Sequence, residues 1–283
     1  MSARERLKKI TSGKKIWCYG AGNYGKTVAY ALLNIGADLK GFIVTSKEGC
    51  RDTVLHKPVY ELASLTIGKD DRILICVNTM LQMEMEEELK KKGVFFLNLM
   101  SSPGSGKTTT LTRTIELLKE DIRIGVMEAD IDSDVDAKTI ADTGAKAIQL
   151  HTGGMCHLDA DMARQGIQEL DISDVDLVIL ENVGNLVCPA EFDTGAVKNV
   201  MILSVPEGYD KPLKYPLMFS VCDVVLINKI DVMSYFDFDI DKCKEYIAMR
   251  NPKAEIIPIS AKTGEGMKEW TEWLKKHVAE WKQ

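Results

Sequence analysis

Apolar runs that alternate with amphipathic segments predict most of the secondary structure of this chain. Short, nearly continuous apolar runs read VFFLNLM, IRIGVME, LVILE, VVLIN and EIIPI, with helical patterns between them. Such strands, separated by helices, are typical of a parallel sheet that is covered on both faces. The chain from 94 to 283 therefore predicts an α/β fold with a mostly parallel sheet.

The last segment of the chain predicts an amphipathic helix. Its apolar side chains recur at helical spacing: Met267, Trp270, Trp273, Leu274, His277 and Val278. Residues at this spacing share one face of a helix. The tryptophans are therefore expected to pack in the core and not to form a binding site.

The first part of the chain predicts a smaller domain over residues 1–93. After a basic lead-in, KIWCYGAGNYGKTVAYALLNIGADLKGFIVTS reads as strand, glycine turn, helix and strand. A third strand (Arg72–Asn78) and a helix (Met80–Lys92) follow. This order predicts a small Rossmann-like βαβ domain. No linker rich in Pro, Gly or Ser separates it from the domain at 94–283, so either one helix serves both domains or the chain is a fusion.

A glycine motif at the start of the first domain is the candidate for a second ligand site. Gly20, Gly22 and Gly25 form G-x-G-x-x-G between a strand and a helix, the context of a dinucleotide or sugar-nucleotide fingerprint. The next strand ends in Thr45 and Ser46, where an NAD site would carry an acid. The alternatives are a nucleotide site and a domain kept for packing or assembly.

Composition narrows the function classes. The net charge is −6 and no basic block stands out, which argues against nucleic acid as a partner. No apolar run is long enough for a membrane span, and the N-terminus lacks an apolar signal core. Seven scattered cysteines fit reduced thiols. A cytoplasmic location without membrane contact is expected.

The stretch FFLNLMSSPGSGKTTT predicts a phosphate-binding P-loop. It runs from an apolar strand through a glycine-rich loop into a helix, as such a site requires. Backbone N–H groups there converge on one point, and the helix dipole favours an anion. Ser101 replaces the first consensus glycine. The candidate nucleotide-binding residues are Gly104, Ser105, Gly106, Lys107, Thr108 and Thr109.

Two later motifs predict which nucleotide base is bound. Asn228, Lys229 and Asp231 follow one apolar strand, and Ser260, Ala261 and Lys262 follow the next. A carboxylate at Asp231 can accept from both N1–H and the N2 amino group of guanine, whereas adenine offers no such pair. Together with the P-loop, these motifs predict GTP or GDP in preference to adenine nucleotides.

Hydrolysis needs Mg²⁺ and an oriented water. Thr108 is one predicted Mg²⁺ ligand, and the acids after IRIGVME, above all Asp130 and Asp136, offer another. Glu181 can hold the ion's water or sense the γ-phosphate. For Asp132 and Asp134, the alternative to Mg²⁺ binding is a place in a solvated loop. Because no Gln or Arg stands in an obvious catalytic position, slow turnover is expected, dependent on dimerisation or a partner.

A Cys/His pair and a later cysteine do not belong to a generic GTPase. Cys156 and His157 are adjacent, and Cys188 follows Glu181 by a short loop. Thiolate and imidazole suit Zn²⁺ or Ni²⁺. Three ligands per chain suggest a site completed across a two-fold dimer axis. The alternative is a buried cysteine with a hydrogen-bonded histidine.

Residues 94–283 resemble the HypB-type nickel-incorporation GTPases of the SIMIBI class. The resemblance is carried by SSPGSGKTTL-like, TGGMCHLDA, ENVGNLVCP, SVPEGYDKPLKYP, NKID and ISAKTGEG segments and by the E-x-D at Glu128 and Asp130. It implies a nucleotide-dependent homodimer that binds Ni²⁺ or Zn²⁺ through Cys156, His157 and Cys188. It also implies Mg²⁺ near Asp136, and delivery of nickel to a hydrogenase maturation partner or the hydrogenase large subunit. Residues 1–93 resemble the Rossmann-like domain that begins sugar-modifying acyltransferases.

Overall fold

The structure is a computed structural model that describes most of the chain. Outside the described residues lie 1–2, 22, 45–46, 48–50, 76–78, 131–139, 141–142 and 153–156; at 3–6, 23–24, 75, 79–81, 83, 130 and 151 only the backbone is described. The chain divides into two compact units, Met1–Thr79 and Met80–Gln283. Each unit has its own sheet.

The first unit is a five-stranded sheet with two described helices. Its elements are α1 (Ala3–Thr11), β1 (Lys15–Tyr19), α2 (Asn23–Asn34), β2 (Asp38–Val44), β3 (Thr53–Val54), β4 (Lys57–Glu61) and β5 (Asp71–Ile75). The strand order is β3-β4-β2-β1-β5, in which only the β3–β4 pair is antiparallel. β1 therefore lies between β2 and β5, and the chain crosses from one side of β1 to the other after β4.

The second unit is built on a seven-stranded parallel sheet. Its strands are β6 (Phe95–Ser101), β7 (Ile124–Asp130), β8 (Lys146–His151), β9 (Leu177–Gly184), β10 (Lys198–Ser204), β11 (Val224–Asn228) and β12 (Glu255–Pro258). They lie in the order β12-β11-β10-β6-β9-β7-β8, and every described pair is parallel. The strands β3, β4, β8 and β10 are not among those predicted from the sequence.

The helices of the second unit lie before, between and after these strands. They are α3 (Thr79–Lys92), α4 (Lys107–Leu118), α5 (Ala160–Leu170), α6 (Cys188–Glu191), α7 (Lys211–Lys214), α8 (Pro216–Val221), α9 (Ile240–Arg250) and α10 (Met267–Trp281). Short 3-10 turns lie at Ile172–Asp174, Val205–Glu207 and Ile230–Tyr235. The predicted α/β fold with a mostly parallel sheet is confirmed.

Both faces of this sheet are buried, as its apolar strands require. On β6 the side chains of Phe95, Leu97 and Leu99 belong to one core cluster, which includes residues of α4 and α10. Phe96, which points the other way, belongs to a second cluster. Because neighbouring residues of a strand face opposite sides, an uninterrupted apolar run needs cover on both.

Helix α3 is part of the second unit, which differs from the predicted domain boundary between residues 93 and 94. Its Met85 and Leu89 are buried in the same cluster as Phe96. At its end, the indole N–H of Trp281 donates to the Val94 carbonyl at 2.7 Å. These contacts place the helix with the P-loop sheet because its apolar side chains find their core there.

The C-terminal helix α10 is a core element, as predicted. Trp270, Trp273 and Leu274 are buried against the sheet. The indole N–H of Trp270 donates to the Thr114 hydroxyl of α4 at 3.0 Å. The tryptophans therefore support the helix that follows the P-loop. Across the described residues, no helix combines the length and hydropathy needed to cross a membrane.

Candidate nucleotide and metal site

The predicted phosphate loop joins the buried strand β6 to helix α4. Ser101, which replaces the consensus glycine, is fully buried at the end of β6. Gly104 and Gly106 have φ angles of +73° and +94°, a region that residues with a side chain rarely adopt. Helix α4 begins at Lys107. The first N–H groups of a helix have no intrahelical acceptor, so this turn can bind an anion.

Gly106 is required by space as well as by backbone angle. A Cβ atom at this position would lie 2.6 Å from Nδ2 of Asn228. The phosphate loop and the guanine motif are therefore packed in direct contact. β6 and β11, which carry them, are separated in the sheet by β10 alone. β6 is also where the strand order reverses, the position at which open α/β sheets bind ligands.

Lys107, Thr108 and Glu181 meet at the carboxyl edge of the sheet. The Thr108 hydroxyl donates to Oε1 of Glu181 at 3.1 Å, and Nζ of Lys107 lies 3.9 Å from the same oxygen. The Glu181 side chain is 5% exposed. Glu128 on β7 is also buried and is the register partner of Glu181. Hydroxyl and carboxylate oxygens are the ligands that Mg²⁺ prefers, so these residues fit the ion.

Asn228 connects the guanine motif to the phosphate loop. Its Nδ2 donates to the Ser105 carbonyl at 2.9 Å, and its Oδ1 accepts from the backbone N–H of Lys229 at 2.8 Å and of Ala261 at 3.2 Å. Nζ of Lys229 donates to the Gly104 carbonyl at 2.7 Å. The three predicted nucleotide motifs are thus joined by hydrogen bonds.

Asp231 is oriented by the following motif. The Ser260 hydroxyl donates to Oδ1 of Asp231 at 2.7 Å and accepts from the Thr263 N–H at 3.1 Å. The other carboxylate oxygen of Asp231 receives no hydrogen bond from the described residues. Lys262 and Thr109, two further predicted nucleotide residues, are exposed. The carboxylate is therefore held with one oxygen available to a ligand.

Cys188 lies on a short loop and helix that leave strand β9. It is partly exposed and is the first residue of α6. The Asn185 side chain holds this turn: its Oδ1 accepts from the Val187 N–H at 2.7 Å, and its Nδ2 lies 3.7 Å from Sγ of Cys188. β9 also carries Glu181, so the thiol follows directly on the strand that contacts the phosphate-loop helix.

His157 is brought to the segment that carries Cys188. Its ring stacks on Phe192, which ends α6, with centroids 3.5 Å apart and planes 12° apart. Burial lowers the pKa of His157, against the opposing charge of Asp159. A lowered pKa favours the neutral imidazole, the form that binds metals. His157 thus contacts the residue that follows the short helix begun by Cys188.

Several predicted residues lie outside the described part of the chain. These are Cys156, Asp136, Asp132, Asp134 and Gly22, and for Asp130 the structure describes the backbone at the end of β7 and not the side chain. Among the described residues no group of three or more His, Cys, Asp or Glu side chains could hold a metal. The complete metal set therefore stays a prediction.

The two described glycines of the motif in the first unit lie where β1 meets α2: Gly20 follows β1, and Gly25 is in the first turn of α2. Gly20 has a φ angle of +108°. A Cβ atom on Gly25 would lie 1.9 Å from the Gly20 carbonyl oxygen, so only glycine permits this close packing of helix on strand. The turn stands at the carboxyl end of β1, where the strand order of this sheet reverses.

Sequence reasoning missed two polar residues of the site. Ser102 in the phosphate loop donates its hydroxyl hydrogen to Oε1 of Glu207, in the turn after β10. Oε2 of Glu207 accepts from the Ser204 N–H at 2.8 Å and from the Ser204 hydroxyl at 2.7 Å. The segment SVPEGYDKPLKYP is recognisable in the sequence, but nothing in it indicates that its glutamate contacts the P-loop.

A sequence profile of the family described as "CobW/HypB/UreG, nucleotide-binding domain" matches residues 95–258. The chain is 47% identical over 210 residues to a hydrogenase maturation factor HypB of Azotobacter vinelandii, covering 74% of this chain and 67% of that protein. It is 51% identical over 178 residues to the Escherichia coli K12 protein of the same name, covering 63% of this chain and 61% of the relative. The chain thus spans about two thirds of the length of these relatives.

Solved structures agree with the sequence comparison. The chain is similar to a structure described as HypB from Helicobacter pylori in complex with nickel, with a TM-score of 0.69 and 39% identity, covering 73% of this chain and 97% of that one. It is also similar to the hydrogenase maturation factor HypB from Archaeoglobus fulgidus, with a TM-score of 0.67 and 38% identity, covering 71% and 98%.

Proposed function

The chain belongs to the HypB branch of the CobW/HypB/UreG nucleotide-binding family, and on this premise we propose that it is a GTP-hydrolysing nickel metallochaperone. In this proposal, GTP binding closes a homodimer and hydrolysis repositions the metal ligands, so that nickel is released during hydrogenase maturation. One observation carries the proposal: Cys188 follows strand β9, whose Glu181 accepts the hydroxyl hydrogen of Thr108 in the phosphate-loop helix.

The nucleotide part of the proposal assigns GTP and GDP to the edge of the sheet between β6 and β11. Asp231, oriented by Ser260, recognises guanine, and Lys107 and Thr108 contact the outer phosphates and Mg²⁺. When bound, Mg²⁺ would neutralise charge on the phosphates, and Thr108 with Glu181 would hold it. Asp130 and Asp136 are the proposed remaining acids. Turnover is proposed to be slow and to depend on dimerisation.

The metal part of the proposal assigns Ni²⁺, with Zn²⁺ as the alternative, to Cys156, His157 and Cys188. A thiolate and a neutral imidazole suit both metals. The stacking of His157 on Phe192 supports a common site with Cys188. Three ligands from each chain would be completed by the partner across a two-fold axis, so the metal face is the proposed dimer face.

The biological partners follow from the names of the relatives, which are hydrogenase maturation factors. We propose a maturation partner or the hydrogenase large subunit as the recipient of nickel, in the cytoplasm. Nucleic acid and membranes are not proposed as partners.

The test is nickel affinity of a Cys188→Ala variant, measured by calorimetry with saturating GDP and with a non-hydrolysable GTP analogue. A loss of tenfold or more is expected in at least one nucleotide state, because a thiolate ligand is removed. The matched control is Cys243→Ala. Cys243 is fully buried in a hydrophobic cluster, and burial raises the pKa of its thiol to about 12, so the side chain is closed to a metal ion from solvent. Parental nickel affinity of Cys188→Ala in both states would contradict the proposal.

We propose, as a second candidate function, that the first unit binds a nucleotide or sugar nucleotide and biases the GTPase as a sensor or assembly domain. The observation that favours it is the close approach of Gly25 to the Gly20 carbonyl at the point of strand-order reversal. This packing is the reason a dinucleotide fingerprint needs its third glycine.

The second candidate is tested by calorimetry of the full chain with NAD(H), UDP-sugars and CoA. GDP is present at saturation, so that the P-loop site does not contribute to the signal. A binding isotherm with one of these ligands is expected. No heat from any of them would leave the first unit as a packing domain. Unchanged GTPase activity and metal affinity after its deletion would favour a fusion without joint function.

A further inference from the structure

A single carboxylate joins the phosphate loop to the turn that follows β10. Oε1 of Glu207 accepts the hydroxyl hydrogen of Ser102, and Oε2 accepts two hydrogen bonds from Ser204 at 2.8 and 2.7 Å. Ser102 is the first loop residue after strand β6. A displacement of the phosphate loop at Ser102 must therefore either move Glu207 or break this bond.

The register of the sheet places this turn between the phosphate loop and the guanine motif. In β10, Ile202 is paired with Ser101 of β6, and Ser204 is paired with Asn228 of β11. The turn Val205–Glu207 leaves the sheet at the same carboxyl edge. Glu207 is thus a charged group beside the proposed phosphate site that belongs to none of the recognised nucleotide motifs.

The charge of Glu207 makes this contact sensitive to the ligand. A carboxylate beside the phosphate loop repels an added phosphate group, because like charges at short range raise the energy. Hydrogen bonds from Ser102 and Ser204 stabilise the carboxylate. GTP brings more negative charge than GDP, so the energy of the arrangement at Glu207 differs between the two nucleotide states.

The turn and the segment that carries Cys188 contribute to the same core cluster. Val205, the first residue of the turn, is buried in one cluster with Leu186, Met218 and Phe219, and Ala190 packs against the same cluster. Leu186 and Ala190 lie two residues before and two residues after Cys188. Protein interiors are close-packed and transmit displacement. A shift of the turn at Glu207 therefore reaches the thiol through these side chains.

We propose that Glu207 is a positioning residue that couples the phosphate loop to Cys188 through its hydrogen bond with Ser102. The ratio of nickel affinities in the GTP and GDP states depends on this bond. The inference rests on the proposed function, in which Cys188 binds nickel. It adds the physical connection by which the γ-phosphate changes the metal site.

The experiment compares nickel dissociation constants of the full chain at saturating GDP and at a saturating non-hydrolysable GTP analogue. At saturating nucleotide every variant is fully bound, so a change in nucleotide affinity does not affect the comparison of nickel affinities. Ser102→Ala, which deletes the hydroxyl on the loop side, is expected to reduce the ratio of the two constants at least fivefold towards one. Ser102→Thr keeps the hydroxyl and is expected to preserve the parental ratio within twofold.

The matched control is Ser204→Ala. It deletes a hydroxyl donor to the other oxygen of the same carboxylate and leaves the bond from Ser102 in place, so it is expected to keep the parental ratio within twofold. A parental ratio in Ser102→Ala, or an equal loss in Ser204→Ala, would overturn the inference. If the parent chain binds nickel equally well with GDP and with the GTP analogue, the proposed function itself is contradicted. This outcome is distinct from failure of the inference about Glu207.

Discussion

Replacing Asp231 with asparagine tests the assignment of guanine most sharply. The Ser260 hydroxyl holds Oδ1 of Asp231 at 2.7 Å, and the second oxygen receives no hydrogen bond from the described residues. A carboxylate in this position accepts from N1–H and from the N2 amino group of guanine. An asparagine amide places an NH₂ group opposite one of these donors. Xanthine carries a carbonyl at that position and would accept from the amide.

The size of the effect follows from the bonds that are lost. Hydrogen bonds to charged groups contribute about 1.5–3 kcal/mol each. Asp231 is partly exposed, so the lower values apply: about 1.5 kcal/mol for the bond that is lost and about 1.5 kcal/mol for the two donors left facing each other, or about 3 kcal/mol together. Since about 1.4 kcal/mol corresponds to a tenfold change, GDP affinity is expected to fall roughly 150-fold. XDP affinity is expected to rise above that of GDP.

The assay is competition binding of GDP and XDP against a fluorescent guanine nucleotide for the parent and a fluorescent xanthine nucleotide for the variant. Ser260→Ala is the matched control, because it removes the bond that orients the carboxylate and keeps the charge. It is expected to weaken GDP binding about tenfold without a preference for XDP. If Asp231→Asn still prefers GDP over XDP, the carboxylate does not read the base and the assignment is wrong.

Three further changes have defined outcomes. Gly106→Ala is expected to weaken GDP binding more than tenfold, because a left-handed alanine costs about 1–2 kcal/mol and its Cβ would lie 2.6 Å from Nδ2 of Asn228. The control is Gly144→Ala, where φ is +86° and the space around the Cβ is open. This control should leave GDP affinity unchanged. His157→Ala should lower nickel affinity at least tenfold in calorimetry, and no change would remove this residue from the metal site. Hydrogen bonds from Arg123 and, to a smaller extent, Lys282 hold the pKa of the Asp176 carboxyl well below its usual range. The contribution of this carboxylate to the free energy of unfolding is therefore complete above about pH 4 and is lost as the pH falls further. In urea titrations Asp176→Asn should therefore be less stable than the parent by about 1–2 kcal/mol at pH 7, and a difference that persists unchanged at pH 3 would contradict this reasoning.

The nucleotide motifs could be predicted because each is local in sequence. Gly104 and Gly106 supply backbone angles that only a few consecutive residues determine, and Asp231 follows a buried strand within the same short segment. The strands themselves are apolar runs that need cover on both faces. Local patterns of this kind carry both the element and its chemistry, so the P-loop and the guanine motif were predictable with the fold.

The contact between Ser102 and Glu207 could not be predicted because it depends on the strand order. It exists only since β10 lies beside β6, and nothing in the local pattern of either segment determines that neighbour. The apolar run at 200–203 is typical of a buried strand, but it does not determine which strand lies beside it. The same limit applies to α3: its weakly amphipathic pattern does not tell which core receives Met85 and Leu89.

The extent of the match to relatives agrees with the position of α3. The alignment to the Azotobacter vinelandii protein spans 210 residues, more than the 190 residues between positions 94 and 283. The matched region therefore begins before the predicted domain boundary, which agrees with a second unit that starts at Met80. The physical reason is the buried face of α3, which belongs to the P-loop sheet.

Nucleotide-dependent dimerisation and nickel binding are tested together by the native mass and nickel content of the purified full chain, measured with GDP and with a non-hydrolysable GTP analogue. We expect a dimer that contains nickel with the GTP analogue, and a lower dimer population or a changed nickel content with GDP. A monomer without bound nickel in both nucleotide states would contradict it.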